Sequence, residues 1–274
     1  MPDDRQPPAA AGEAGESAGA GVNVPDLLAG LSLLAGEHGF AVREIGQCQD
    51  GPLLALERHR PGAPRVYLSA GVHGDEPAGP LAVRRLLEQD ALDHRLEWRI
   101  CPLLNPGGLA AGTRTTPCGR DLNRDYATRH SAEAQAHAAW LERQPIPDVM
   151  LSLHEDFEAT GVYLYEINTS GAPSWARALL DAAAAVLPVE PAPRIDDHHV
   201  AAPGWILHPP EPDEPGWPEA ILLARLGPHV SYTMETPSRG FALEHRVAAH
   251  AAMVTRAVGL AIGLIRPSAA NPVD

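Results

Sequence analysis

Residues 65–79 read RVYLSAGVHGDEPAG, and this segment predicts a strand, a turn and the start of a helix. Its first eight residues form a short apolar run, which is typical of a buried strand. Pro77 has the fixed φ favoured at the first position of a helix, and the helical sequence LAVRRLLEQ follows shortly after it. His73 and Glu76 therefore fall at a strand-to-helix turn that is flanked by glycines.

The rest of the chain alternates strand-like apolar runs with helical segments. Further strands are predicted at residues 40–47, 53–59, 98–104, 148–155, 161–167 and 229–236. Helices are predicted after Pro25 and at residues 131–144, 173–187 and 243–265. This alternation implies an α/β fold with a largely parallel or mixed sheet that is covered on both faces. In such sheets the ligand site lies beyond the carboxyl ends of the strands, where His73, His154 and Glu235 all fall.

The domain organisation is predicted to be simple. Residues 1–22 are small, polar and proline-containing, which predicts a disordered tail. We assign residues 23–268 to one catalytic domain, since 274 residues can bury a sizeable core. Two segments within it, residues 105–129 and 188–219, are rich in glycine or proline and predict long irregular connections.

The composition argues against several classes of partner. The formal net charge is -14, and all 21 basic residues are arginine, so nucleic acid and anionic membrane surfaces are not expected as ligands. No run of about 18 apolar residues and no secretory signal is evident. The three cysteines are far apart and odd in number, which predicts reduced thiols. We therefore predict a cytoplasmic protein; no pattern predicts its oligomeric state.

His73, Glu76 and His154 are of the types that catalytic zinc commonly takes as its three protein ligands, leaving one position for water. A His-x-x-Glu pair across a turn can bring both side chains to one point, and His154 at a neighbouring strand end can supply the third ligand. Most lone His-x-x-Glu pairs lie on solvated helix faces, but this pair follows a buried strand and lies between glycines. The sequence thus predicts one Zn²⁺ per chain.

Other metal arrangements fit the sequence less well. His154-Glu155 begins like a His-Glu-x-x-His helix motif, but residue 158 is glutamate and the segment is strand-like. Residues 196–199, DDHH, could also bind a metal. Because they lie in the proline-rich segment, we interpret them as a polar loop.

Five segments, taken in order, resemble the zinc carboxypeptidase family, in the broad superfamily that also holds aspartoacylase and succinylglutamate desuccinylase. They are HGDE at 73–76, NPGGLAAGTR at 105–114, GRDLNRDY at 119–126, SLHE at 152–155 and TMETP at 233–237. The resemblance covers about residues 65–265. The stretch GTRTTPCGRDLNRDY is most similar to bacterial murein peptide amidases, while HGDE and DLNR also occur in acyl-amino-acid deacylases.

The resemblance implies a single α/β domain with a mixed, mostly parallel eight-stranded sheet flanked by helices. It also implies that His73, Glu76 and His154 are the zinc ligands. Asp121 matches a carboxylate that hydrogen-bonds the first zinc histidine, and such an acceptor would fix the orientation and tautomer of the ring.

Three further residues take roles from the resemblance. Asn123 and Arg124 match the pair that grips the terminal carboxylate of the substrate, a task that suits the planar guanidinium. Arg114 matches the arginine that polarises the scissile carbonyl. Taken singly, Arg114 and Arg124 could equally be surface arginines, and Asn123 could equally be a residue that shapes a turn.

Glu235 is the expected general base, because it ends a strand and matches the position of the family's catalytic glutamate. Glu155 is the competing candidate beside a ligand. Neighbouring side chains of a strand point to opposite faces, so Glu155 is expected to turn away from the metal. The family usually has a mobile tyrosine over the substrate; Tyr163, Tyr165 and Tyr232 are available, and none lies in a matching motif.

Three functions remain open at this point. The favoured one is a metallocarboxypeptidase or peptide amidase that cleaves an amide bond of a small peptide next to a free carboxylate. The second is a deacylase of N-acyl amino acids. The third is a metal-binding or scaffold protein without activity, against which the presence of both Glu235 and Arg114 argues.

Overall fold

Seven helices and ten strands make up the described parts of the chain, residues 21–210 and 216–265 of a computed structural model. The helices are α1 (Val24–Glu37), α2 (Ala78–Glu88), α3 (Pro106–Ala111), α4 (Ala132–Leu141), α5 (Ala176–Ala183), α6 (Glu219–Leu226) and α7 (Leu243–Ile262). The strands are β1 (Ala41–Cys48), β2 (Gly51–Arg58), β3 (Arg65–Ala70), β4 (Glu97–Cys101), β5 (Val149–Asp156), β6 (Tyr163–Asn168), β7 (Arg194–Ile195), β8 (His198–His199), β9 (Trp205–Leu207) and β10 (Val230–Pro237). Of the predicted tail, residues 1–20 lie outside the described residues, as does the predicted end of the domain at residue 268.

Eight of the strands form one sheet in the order β1-β2-β4-β3-β5-β10-β6-β9. The central strands β4, β3, β5 and β10 run parallel to one another, and β9 runs parallel to β6. The β1–β2 hairpin and β6 add antiparallel neighbours on either side. The expected single α/β domain with a mixed, mostly parallel eight-stranded sheet is confirmed.

Helices cover both faces of the sheet, and alternate residues of each strand supply the two cores. Val66 and Leu68 of β3 pack into a large apolar core with α1, α2, α5 and α7. Tyr67, between them, packs into a second core with α4 and α6. This alternation follows from the pleat of a strand, which turns successive side chains to opposite faces. The second face also carries the polar residues Ser69 and Ser152, which pair across β3 and β5.

Two segments that were predicted to be irregular contain regular structure. The predicted loop at 105–129 holds helix α3 and a 3₁₀ turn at Leu122–Arg124. The proline-rich segment holds the β7–β8 hairpin, strand β9 and the first residue of α6. Asp196 and Asp197 form the tip of that hairpin with φ of 46° and 62°, a left-handed conformation that aspartate tolerates better than most residues. These elements are short and lie among prolines, so the sequence shows no helical or strand-like hydrophobic periodicity there.

None of the described helices combines the length and the apolar character that a bilayer crossing requires.

Gly74 lies where the turn after β3 meets helix α3. A Cβ atom at this position would lie 1.9 Å from the carbonyl carbon of Gly108 and 2.3 Å from the amide nitrogen of Leu109. The Asn105 side chain caps α3 by accepting a hydrogen bond from Gly108 N at 2.8 Å, which fixes that end of the helix. The backbones thus touch without a side chain between them, and the position of His73 depends on that contact.

We expect Gly74→Ala to lower the free energy of unfolding by about 1–3 kcal/mol or more, because the added methyl group overpacks a contact between two backbones. Chemical denaturation measures this change. Gly30→Ala is the matched control: no atom lies within 4 Å of a Cβ at Gly30. Since Gly30 is helical, its replacement should stabilise by roughly 0.5–1 kcal/mol. Equal stability of Gly74→Ala and the wild type would contradict the close approach.

Candidate active site

The buried side chains of His73, Glu76 and His154 meet at the carboxyl edge of the sheet. One potential ligand atom from each lies within 4.8 Å of the others. The Nδ1 atom of His73 is 2.5 Å from Glu76 Oε1, and the Nδ1 atom of His154 is 3.2 Å from Glu76 Oε2. The two imidazole rings meet edge to face, with centroids 5.2 Å apart. Among the described residues this is the one group of three or more such side chains that could hold a metal ion.

The donor set fits a metal ion on two observations. Two imidazoles and one carboxylate are a common ligand set for catalytic zinc. In addition, Glu76 Oε2 is buried and makes no well-aligned hydrogen bond within the described parts of the chain, although His154 Nδ1 lies 3.2 Å away. A buried carboxylate oxygen without a partner carries a large desolvation cost, which a cation between Glu76 and the two histidines would remove.

Asp121 and Arg114 lie behind and beside His73. The Nε2 atom of His73 donates to Asp121 Oδ1 at 3.2 Å, so the other ring nitrogen faces Glu76. An N–H held in this way leaves the Nδ1 lone pair free for a metal. Arg114 Nη2 is 3.0 Å from Asp121 Oδ2, and its Nη1 is 3.7 Å from Glu76 Oε1.

In the absence of a metal, the imidazoles and carboxylates of the cluster stabilise one another electrostatically. Burial disfavours the charged form of His73, but the adjacent carboxylates Glu76 and Asp121 outweigh it and raise the pKa of His73 to about 9. Burial would raise the pKa of Glu76, yet His73 and His154 hold it far below its usual range. Without a metal, these pKa directions favour a protonated His73 beside an ionised Glu76, so the positive charge of the imidazolium balances the carboxylate.

Glu235 lies beside His154 because strands β10 and β5 are parallel and in register at these two residues. Its side chain is buried, and burial raises the pKa of Glu235 to about 8, with further contributions from Glu76 and Asp156; His154 and Arg114 oppose the shift. A carboxylate with a raised pKa at the edge of a metal site is a suitable proton acceptor and donor.

Glu155 is turned away from the cluster, as strand alternation requires. Its Oε1 accepts from the backbone N–H of Ala78 at 2.7 Å, and its Oε2 accepts from Arg246 of α7. Burial raises the pKa of Glu155 to about 7, against the influence of Arg246. Both oxygens are engaged, so this residue joins β5 to α2 and α7 and does not compete for the role of base.

The remaining predicted residues line one cavity with the cluster. This cavity has a volume of about 760 Å³, and His73, Glu76, His154, Glu235, Arg114, Asn123 and Arg124 all contribute to its wall. Asp121, the last of the predicted site residues, contacts the cluster through His73. All the predicted site residues are therefore brought together, although they come from five separate segments of the sequence.

Two of the three candidate tyrosines reach this cavity. Tyr163 and Tyr165 line it, and their hydroxyl groups donate to Asp156 and Asp196 at 2.9 and 2.8 Å. Tyr232 lies on the opposite face of the sheet, where its hydroxyl accepts from the backbone N–H of Trp175 at 2.6 Å. Tyr232 therefore has no access to a substrate in the cavity.

The sequence analysis did not predict helix α6, whose first turn and the two residues before it contribute to this cavity. Trp217, Pro218, Ala220 and Ile221 form part of the cavity wall, and Glu219 lies buried behind them. A proline followed by an acidic residue and an apolar run is a recognised start signal for a helix, so this element could have been found. Residues 196–199, which were interpreted from the sequence as a polar loop, instead form the tip and the second strand of the β7–β8 hairpin.

Comparison with known proteins gives a family match for part of the chain. Residues 62–189 match the family described as the succinylglutamate desuccinylase/aspartoacylase catalytic domain. No curated protein gives a significant match.

Solved structures share the fold over most of the chain. A candidate metallopeptidase of Shewanella amazonensis SB2B is 28% identical with a TM-score of 0.75, over 87% of this chain and 93% of its own. A second, from Shewanella denitrificans OS217, is 25% identical with a TM-score of 0.76, over 87% and 90%.

A metallo-carboxypeptidase from Pseudomonas aeruginosa, solved with (2-guanidinoethylmercapto)succinic acid, is 18% identical with a TM-score of 0.64, over 87% of this chain and 69% of its own. At this identity the likeness concerns the fold alone. Taken together, the matched catalytic segment, the eight-stranded fold and the buried His-Glu-His cluster support an assignment of the chain to the carboxypeptidase-like superfamily that includes the succinylglutamate desuccinylase/aspartoacylase catalytic domain.

Proposed function

We propose that this protein is a zinc-dependent hydrolase that cleaves an amide bond next to a free carboxylate, as a metallocarboxypeptidase or peptide amidase does. One observation carries the proposal: a metal-binding cluster, a buried carboxylate and the Asn123–Arg124 pair line a single cavity. A substrate with its carboxylate at that pair would present its amide bond to the cluster. The metallopeptidase relatives from Shewanella, which match over nearly their whole length, support the same activity.

In this proposal His73, Glu76 and His154 hold the zinc ion. Bound Zn²⁺ supplies Lewis acidity and lowers the pKa of water. Asp121 keeps the His73 ring in the required tautomer through its contact with Nε2. Glu76 contributes a negative charge that is already paired with both imidazoles in the absence of metal.

Glu235 is the proposed general base. Its position beside His154 on the adjacent strand lets it take a proton from the attacking water and pass it to the leaving nitrogen. Arg114 has nearly half of its side chain exposed to the cavity, so its guanidinium can donate to the oxygen of the scissile carbonyl as negative charge develops there. Its contact with Asp121 fixes the guanidinium at the edge of the cluster.

Asn123 and Arg124 are the proposed anchor for the substrate's carboxylate. Asn123 is mostly buried and Arg124 is exposed, and both face the cavity. An amide N–H and a planar guanidinium are suitable donors for a carboxylate.

A second candidate function is the deacylation of N-acyl amino acids. The observation that favours it is the match of residues 62–189 to the succinylglutamate desuccinylase/aspartoacylase catalytic domain. The chemistry at the metal is the same in both cases. The two functions differ in whether the cavity accepts a peptide or a small acyl group on the far side of the amide bond.

A substrate panel separates these two functions. The zinc-loaded protein should hydrolyse C-terminal dipeptides or γ-glutamyl-diaminopimelate peptides, measured by release of the free amino acid, and should lose that activity when the terminal carboxylate is blocked as an amide. N-acetyl and N-succinyl amino acids complete the panel. Hydrolysis of the acyl amino acids alone would replace the first function by the second.

The metal assignment predicts one zinc ion per chain by elemental analysis after loading and gel filtration. His154→Ala should weaken zinc binding by more than the roughly 10–100-fold typical of losing an outer hydrogen-bond partner, because a ligand itself is removed. His245→Ala is the control, since His245 is exposed on α7 far along the chain from the cluster. Equal zinc affinity of His154→Ala and His245→Ala would rule out the assigned ligand set.

The assignment of the base predicts that Glu235→Gln lowers kcat by at least about 100-fold, the low end for loss of a general base, while zinc content stays at one per chain. Steady-state kinetics on the best substrate of the panel measures this loss. Glu158→Gln is the control: it removes an exposed carboxylate from the same cavity and should change kcat by less than threefold, roughly the effect of a surface charge. Full activity of Glu235→Gln would assign the proton transfer to another group.

A further inference from the structure

Glu219, the first residue of α6, places a carboxylate in the core between that helix and the sheet. The residue is 1% exposed. Its Oε2 accepts from Ser69 Oγ at 2.6 Å and from Ser152 Oγ at 3.3 Å, and its Oε1 accepts from the hydroxyl group of Tyr67. The donors come from the neighbouring strands β3 and β5, so one carboxylate fastens the start of α6 to the centre of the sheet.

The network behind Tyr67 is fully hydrogen-bonded. The Tyr67 hydroxyl gives its proton to Glu219 and so accepts from His137 Nε2 at 2.8 Å. His137 Nδ1 in turn accepts from the Tyr126 hydroxyl at 2.7 Å. Burial lowers the pKa of His137 to about 3, so the ring is neutral and donates through Nε2 alone.

Glu219 has no guanidinium partner among the described residues. The nearest basic side chain is His137, with its Nε2 atom 3.6 Å from Oε1, and that ring is neutral. Burial raises the pKa of Glu219, and the hydroxyl donors oppose this shift only in part. A buried carboxylate of this kind is costly, since an apolar side chain of similar size would pack in the same core without desolvating a charge.

The backbone of Glu219 contacts the proposed carboxylate anchor directly. Its N–H donates to Asn123 Oδ1 at 3.0 Å. Since only the oxygen of an asparagine amide can accept, this bond fixes which way the amide is turned. The Nδ2 donors of Asn123 are therefore left for a ligand in the cavity that Asn123 lines.

We infer that Glu219 is a positioning residue: its side chain fixes the first turn of α6 on β3 and β5, so that its backbone N–H orients the Asn123 amide as a donor toward a bound carboxylate. This inference rests on the proposed function only where Asn123 is assigned to that carboxylate. It predicts that Glu219 governs the recognition of the carboxylate and leaves the metal site unchanged.

The test compares the binding of 3-phenylpropanoate with that of 3-phenylpropanamide by isothermal titration calorimetry to the zinc-loaded full-length protein. The wild type should prefer the carboxylate. Glu219→Ala should reduce that preference by about tenfold or more, the scale of one hydrogen bond to a charged group, with zinc content unchanged. Glu219→Gln, which can keep bonds to the same three hydroxyl groups, should restore most of the preference.

Two further variants separate positioning from stability. Leu223→Ala removes a buried apolar side chain from the same helix and no hydrogen-bonding group of the network, so it should lower the melting temperature and leave the preference unchanged. Tyr67→Phe removes one donor to Glu219 while keeping the ring. It should reduce the preference two- to tenfold even if Glu219→Ala does not fold.

The combination with Asn123→Ala completes the test. In that background Glu219→Ala should cause no further loss of preference, because the two residues act through one contact. An unchanged preference in Glu219→Ala, or in Tyr67→Phe where Glu219→Ala is unfolded, overturns the inference. If the wild type binds 3-phenylpropanoate and 3-phenylpropanamide equally well, both the inference and the assignment of Asn123 and Arg124 as the carboxylate anchor are overturned. If the wild type prefers the carboxylate but hydrolyses no amide, that result counts against the proposed function alone.

Discussion

A carboxylate buried between two imidazoles is the constraint on which this structure depends. Glu76 can remain charged out of water only because His73 and His154 face its two oxygens. Those histidines come from different strand ends, so the sheet must hold β3 and β5 side by side in a fixed register. The parallel centre of the sheet and the helix that follows Glu76 can be understood as the support for this one arrangement.

The two faces of the sheet differ in the side chains that they bury. The face toward α1, α2, α5 and α7 supplies the larger, mainly apolar core, together with the buried Glu155–Arg246 pair. The face toward α4 and α6 carries Ser69, Ser152, His137 and Glu219 in its interior, with the cavity at its upper end. The cost of burying these polar groups is offset by hydrogen bonds, in which nearly every donor has an acceptor. Such a network fixes a specific geometry rather than adding stability.

The sequence was sufficient to predict the strands that carry or lead to His73, His154 and Glu235, because apolar runs are local signals; in the structure β3 ends three residues before His73, and β5 and β10 continue two residues past His154 and Glu235. The candidate ligand cluster followed from the chemistry of His73 and His154 together with Glu76. Helix α6 and strand β9 were missed, because each is short and lies among prolines. The Glu219 network could not be predicted at all: Tyr67, His137 and Glu219 are separated by up to 152 residues, and only the folded chain brings them into contact.

Arg114 contacts the turn that carries the proposed metal ligands His73 and Glu76 in two ways. Its backbone carbonyl accepts the N–H of Gly74 at 3.4 Å, while its guanidinium reaches Asp121, which in turn contacts His73. Because Gly74 has no side chain, its backbone packs directly against its neighbours. A displacement of Arg114 would therefore reach the ring of His73 both through the Gly74 backbone and through Asp121. Occupancy of the cavity at Arg114 and the geometry at His73 are thus mechanically linked, so a ligand that moves one will strain or relax the other.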